Sequence, residues 1–509
     1  MSLDFNHIIK ELFVYSPETP ILYTRPVFWV LFALIMAVYS LVYKKNLLRN
    51  IFLLAASLFI YYKTNGAFLF LLVFSCVGNY LAGLSIDLQK SRSVKKAWLT
   101  MAVTINLLLL GYFKYAYFFT ESFNSLFHTK YEVVNWLVLW ENQLFGTSFN
   151  ASVILLPVGI SFYTFQAISY LVDVYRDRVG VVKNIFDFSF YLAFFPQLVA
   201  GPIVRASAFI PQLYQKYRLT KAEFGHAVFL ILKGMVKKIV FADFIAVNFI
   251  DRVFSSPISY TGIENILAVY GYSLQIYADF SGYTDIAIGL ALIMGFKLPV
   301  NFNEPYKATS LTNFWRRWHM SLSFWLRDYL YIPLGGNRKG KVRTYINLLI
   351  TMVLGGLWHG ANLRFIIWGS IHGVGLVFDK LWKSVFKSRE SRSWIQRGLS
   401  VLITFHLVTF AWLFFRAENR ETINQFFYQV QYNLHLQLLP EIFKGYALPM
   451  ALMTAGFILV YIPFKLKEKV RGWFIKSPMY VKLIIVILMI ILLYQAASSE
   501  LQAFIYFRF

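Results

Sequence analysis

Charge is scarce in this chain: only 15% of its residues are Asp, Glu, Lys or Arg, against 58% hydrophobic. Soluble domains carry about 25% charged residues, so a 509-residue chain with this composition has too little polar surface to cover a water-soluble globule. Cysteine is nearly absent. Cys76 is the single one and lies inside an apolar run, which rules out an internal disulfide and argues against a cysteine-ligated metal. Acidic residues are few, 25 against 49 basic ones, for a formal charge of +24. In a soluble protein that excess would suggest nucleic acid. Here no basic domain separates from the hydrophobic blocks, and basic loops facing the cytoplasm and anionic headgroups account for it. No HExxH pair, nucleophile elbow or phosphate loop is present, so no metal site is expected. Residues 1–20 are polar and slightly acidic, with Asp4, Glu11 and Glu18 against Lys10, and show no cleavable signal pattern.

What the chain does have is long apolar runs. They fall at residues 26–43, 50–62, 68–84, 99–119, 153–174, 185–204, 346–357, 365–378, 399–415, 447–464 and 481–494. A spanning helix needs roughly 20 largely apolar residues, so about 11 to 13 spanning segments are expected, with others lying in the membrane without crossing it. Lys44, Lys45 and Arg49 follow the first run, and Lys90, Arg92, Lys95 and Lys96 the third. The positive-inside rule makes both turns cytoplasmic and the N-terminus extracytoplasmic. The basic stretches 380–397 and 465–476 flank the nearly balanced segment 416–445. Alternation then leaves the C-terminus outside as well.

Polar residues interrupt the pattern in the middle of the chain. Ionisable side chains at membrane depth are costly and tend to mark functional cavities. His319 sits in WRRWHMS and His359 in GGLWHGAN, and a histidine can act as general base near neutral pH. His406, alone on an apolar helix, reads as a packed structural residue, and His372 names no chemistry by its neighbours. In YADFSGYTDIAIG, Asp279, Ser281 and Asp285 break what would otherwise be a helix. The two aspartates are either proton-relay carboxylates of a transporter or groups that satisfy backbone and arginine partners at a broken helix. Residues 314–331 mix Trp and Tyr with Arg, which suits an interfacial or re-entrant helix.

The strings NFNEPYKATSLTNFWRRWHMSLSFWLRDYLYIPLGGN (301–337) and GGLWHGAN (355–362) resemble the membrane-bound O-acyltransferase family. More narrowly, they are similar to its bacterial polysaccharide O-acetyltransferase branch, as are residues 157–176, 194–205 and 277–289. The resemblance implies an all-α polytopic fold, a ring of tilted helices around a membrane-traversing tunnel. It also implies catalytic His359 and His319, an acetyl-CoA or related thioester donor entering from the cytoplasm, and an extracytoplasmic glycan acceptor. A secreted or membrane-anchored SGNH-type protein would be the partner, and the location the bacterial inner membrane. Arg316 and Arg317, with Trp315 and Trp318, are candidates to bind the donor, since planar guanidinium groups suit phosphates. Asp279, Ser281, Asp285, Trp358 and Asn362 would line or support the tunnel. The final FIYFRF, residues 504–509, resembles the aromatic tail of this branch, and Tyr506 would relay the acyl group.

The chain reads as one membrane domain: spans over residues 1–150, a catalytic core over 151–376, and further spans over 377–509. Two rivals remain beside O-acetylation. One is D-alanine-type export from a carrier-protein thioester. The other is a proton-coupled transporter or flippase using Asp279 and Asp285, although no repeated pair of broken helices is apparent.

Overall fold

A computed structural model describes residues 12–16, 20–145, 150–151, 153–386 and 393–496. It is helical throughout, without strands among those residues. Five helices, Asn46–Leu88 counted as one, are long and apolar enough to cross a bilayer, or six if the pair Leu436–Gly445 and Ala447–Tyr461, bent by 99°, forms one span. Shorter helices such as Pro26–Val42 fill the remaining apolar runs. The 43 residues of Asn46–Leu88 would reach about 64 Å if straight, twice the hydrocarbon thickness. A 3-10 turn at Gly66–Phe68 divides them into Asn46–Asn65 and Leu69–Leu88. This is a multi-pass membrane protein.

Its centre is the 32-residue Gly262–Ile293 helix. It is the least apolar of the five candidates, yet 78% of its most apolar window is buried, against 11% for the strongly apolar Met479–Ala496 helix. Lipid accepts the apolar helix, while the polar one must find its partners inside protein. Here the sequence reading needs correction, because Asp279, Ser281 and Asp285 do not break the helix. Lysines on the neighbouring Lys221–Val236 helix and its π-helical continuation Lys237–Phe244 satisfy them from the side. Lys238 Nζ reaches Asp279 at 2.6 Å, Lys233 and Lys237 reach Asp285 at 3.0 and 2.8 Å, and Lys237 donates to Ser281 Oγ at 3.0 Å. The partners are thus lysines rather than arginines.

Both ends of the central helix are tied to distant segments. Tyr39 donates to the Met294 carbonyl at 2.7 Å, and Arg49 holds the carbonyls of Leu213 and Gln215. The first contact joins the Pro26–Val42 helix to the C-terminal end of the central helix, and the second joins the start of Asn46–Asn65 to the end of the Ala206–Leu213 helix. At the other end, the Gly262 and Ile263 amides donate to the carbonyls of Asn433 and Leu434. Residues 314–331 form short helices, Leu311–Trp315, Met320–Leu326 and the π-helical Arg327–Tyr331, none long enough to span.

Candidate active site

His359 is the last residue of the Gly340–His359 helix, which stops at the extended Gly360. The following helix, Leu363–Phe386, turns back tightly against it. Two glycines of GGLWHG permit that approach. A Cβ on Gly356 would lie 2.2 Å from the Phe365 carbonyl oxygen, and one on Gly360 would lie 2.1 Å from the Phe365 ring. The His359 ring is 3% exposed and packs edge-on against Trp358, Trp368 and Phe415 at 5.0, 5.0 and 5.1 Å.

His319 reaches the same place by another route. It joins two short helices in a left-handed conformation, φ 39° and ψ 56°, which costs a non-glycine residue roughly 1–2 kcal/mol. The turn is held by buried Asn301, whose carbonyl accepts from the Met320 amide and whose Oδ1 accepts from the Ser321 amide and hydroxyl. Ser321 Oγ also accepts from the Ile203 amide at 3.0 Å. The reversal sends Trp318 and His319 inward, 1% and 0% exposed, and leaves Arg316 exposed. The His319 ring lies 4.6 Å from Phe280 and 6.0 Å from Trp358, so both histidines pack against the same Trp358 ring.

A third histidine joins them. His372 is 1% exposed, accepts from Trp315 Nε1 at 3.3 Å, and has its ring 4.8 Å from Trp368. Trp368 therefore bridges His372 to His359, and Trp412 stacks over Trp368 at 5.7 Å. In sequence His372 is one polar residue in an apolar helix. Its place in the cage depends on the Leu363–Phe386 helix folding back on its predecessor. His406 behaves differently from its reading: it is exposed on an apolar face, with its ring nitrogen 2.5 Å from the Tyr270 hydroxyl.

Beside His359 a small open cleft is lined by Leu156–Phe162, Lys114, Trp358 and His359. Of the other candidates, Trp315 and Trp318 belong to the buried ring cage. Arg317 is held by the Asn303 carbonyl and Asn313 Oδ1 at 3.2 and 3.1 Å. Next to it, Lys307 and Lys467 share Glu304 at 2.8 Å each, and Lys237 lies over the Tyr277 ring, which is 6.2 Å from Trp318. Cations and aromatic rings thus run from the surface to the histidines. Asn362 is exposed, and its Oδ1 accepts from the Arg364 amide at the start of the next helix, a structural role. Tyr506 lies outside the described residues. No group of three metal-ligating side chains occurs among the described residues.

The profile of membrane-bound O-acyltransferases matches residues 12–417. The chain belongs to that family. It is 43% identical to the probable alginate O-acetylase of Pseudomonas aeruginosa over 373 residues, 73% of this chain and 67% of that protein. It is 38% identical to the peptidoglycan O-acetyltransferase of Helicobacter pylori over 407 residues, 75% of this chain and 73% of that protein. With the teichoic acid D-alanyltransferase of Bacillus subtilis it shares 32% identity over 279 residues, 51% of this chain and 69% of that protein. The protein is a membrane-bound O-acyltransferase.

Proposed function

We propose that this O-acyltransferase moves an acetyl group from a cytoplasmic thioester, acetyl-CoA, to a hydroxyl of an extracytoplasmic polysaccharide. The observation that carries the proposal is the pair of buried histidines packed against Trp358, one of them lining a cleft. The acetylated polysaccharides named for the alginate and peptidoglycan relatives support the acceptor class. The cationic surface around Lys237, Lys307, Lys467 and Arg317, with Arg316 beside it, supports a phosphate-bearing donor on the basic face.

In this mechanism His359 takes the proton of the attacking hydroxyl as its oxygen adds to the thioester carbonyl. The tetrahedral intermediate expels the thiolate, which leaves with the proton from His359. His319, packed against the same Trp358 ring, orients the donor. Tyr506 is the first acceptor, and a second transfer, through an SGNH-type partner, delivers the group to the glycan outside the inner membrane. Acyl-transfer potential falls along this path: thiols have pKa values near 8.5 and phenols near 10, while a sugar hydroxyl is closer to water at about 15.7.

The test is incubation of the purified protein with isotope-labelled acetyl-CoA and mass spectrometry of its C-terminal peptide. Label on Tyr506, lost in His359→Ala, is the expected result. A Tyr506→Phe variant that acetylates polysaccharide at the full rate in cells would remove the relay. Label only from a D-alanyl carrier protein would favour the second reading, which the Bacillus subtilis relative raises.

A further inference from the structure

The carbonyls at the end of the Gly340–His359 helix have no partners within the helix and need donors from elsewhere. Two adjacent side chains of the 36-residue Arg92–Phe127 helix supply them. Tyr115 donates to the Leu357 carbonyl at 2.7 Å, and Lys114 Nζ donates to the Trp358 carbonyl at 2.6 Å. A neutral hydroxyl therefore suffices for one cap, whereas the other is made by a cation well inside an apolar helix.

That cation is expensive. A lysine at membrane depth needs compensation, and Lys114 makes no ion pair among the described residues. It has the carbonyl, the face of the Trp358 ring at 5.7 Å, and the negative end of the helix dipole. Capping alone does not require the charge. The Lys114 residue is half-buried, and it lines the same cleft as His359. With one N–H on the Trp358 carbonyl, the other two meet no acceptor among the described residues and can serve a group bound there. His319, by contrast, is 0% exposed and does not border the cleft.

We infer that Lys114 is a further catalytic residue: its ammonium faces the acyl carbonyl held beside His359 and stabilises the oxyanion of the tetrahedral intermediate. No bond to Lys114 forms or breaks. Its positive charge offsets the negative charge that develops when the hydroxyl oxygen adds, an effect worth about 10²–10³-fold in rate for one well-placed donor. The inference rests on the proposed acyl transfer and on His359 as its base.

Cys76, the single cysteine, is buried, so a cysteine placed at position 114 in a Cys76→Ala background can be modified selectively. The full-length protein is assayed for acetyl transfer as Lys114→Met, as Lys114→Cys, and as Lys114→Cys aminoethylated to restore an ammonium or propylated as a neutral control. The expectation is a kcat lowered about 100-fold in Lys114→Met, with KM for acetyl-CoA little changed and the protein still monodisperse. Aminoethylation should recover at least about tenfold over the propylated form. Tyr115→Phe, which removes only a neutral cap, should lose far less. Lys114→Met at the full rate, or equal recovery by both reagents, would overturn the inference; so would equal losses in Lys114→Met and Tyr115→Phe. If Lys114→Met does not fold, the two modified forms decide. His359→Ala is measured alongside: if it stays active, the proposed function fails instead, whatever Lys114 does.

Discussion

An alanine at Gly356 should displace the helix that carries His359. Its Cβ would lie 2.2 Å from the Phe365 carbonyl oxygen, 3.1 Å from the Phe365 carbonyl carbon and 3.3 Å from Gly369 Cα, where ordinary contact begins at 3.4 Å. All three atoms are backbone, so no rotamer relieves the clash. The helices must part by about 1 Å, at an overpacking cost of roughly 1–3 kcal/mol. His359 moves with the helix, and a misplacement of this size costs about 10²-fold in rate. Gly398→Ala is the internal control. Nothing lies within 4 Å of its Cβ, so in a helix interior the same change should stabilise by about 0.5–1 kcal/mol. In thermal unfolding in detergent the two variants should therefore shift in opposite directions, and in initial rates of acetyl transfer only Gly356→Ala should lose activity. A Gly356→Ala protein as stable and active as the parent would refute the reasoning.

Further outcomes follow from the same contacts. His319→Gly and His319→Ala should both lose activity, but the glycine variant should unfold at the higher temperature because φ 39° is strained for alanine. Asn301→Ala removes the acceptor of the Ser321 amide and hydroxyl; a stability loss of about 1–3 kcal/mol and reduced turnover are expected in unfolding and rate assays. Glu223 caps the Lys221–Val236 helix, and hydrogen bonds from Thr220 and Lys297 hold its carboxyl at about 2, below its ordinary 4.5. A depressed carboxylate stabilises the fold above its unfolded pKa and loses that contribution as pH falls toward the folded value. The stability difference between the parent and Glu223→Gln should accordingly be constant above about pH 5 and shrink toward pH 2, as followed by thermal unfolding across that range.

How far the primary structure reaches varies by element. Membrane residence follows from composition alone, since 58% hydrophobic residues in long runs cannot be covered by water-exposed polar groups. The motifs around His319 and His359 were legible because glycines, tryptophans and arginines in fixed spacing carry the family resemblance. The reading of a broken helix at Asp279 failed for a physical reason: local sequence shows a buried charge but not its partner. Lys233, Lys237 and Lys238 lie more than forty residues away along the chain and reach those aspartates only through helix pairing.

Asn301, His372 and Lys114 escaped for the same reason. Asn301 matters because it holds a left-handed turn, His372 because a tight glycine contact brings Trp368, one turn before it, to His359, and Lys114 because its helix passes the end of another 244 residues along. The amino-acid sequence by itself determined that this chain lives in a bilayer, which family it resembles and which two histidines to examine. The tertiary structure alone decided what surrounds them, because the partners of a buried charge and the walls of a cleft come from segments distant in sequence, joined by packing that no local pattern records.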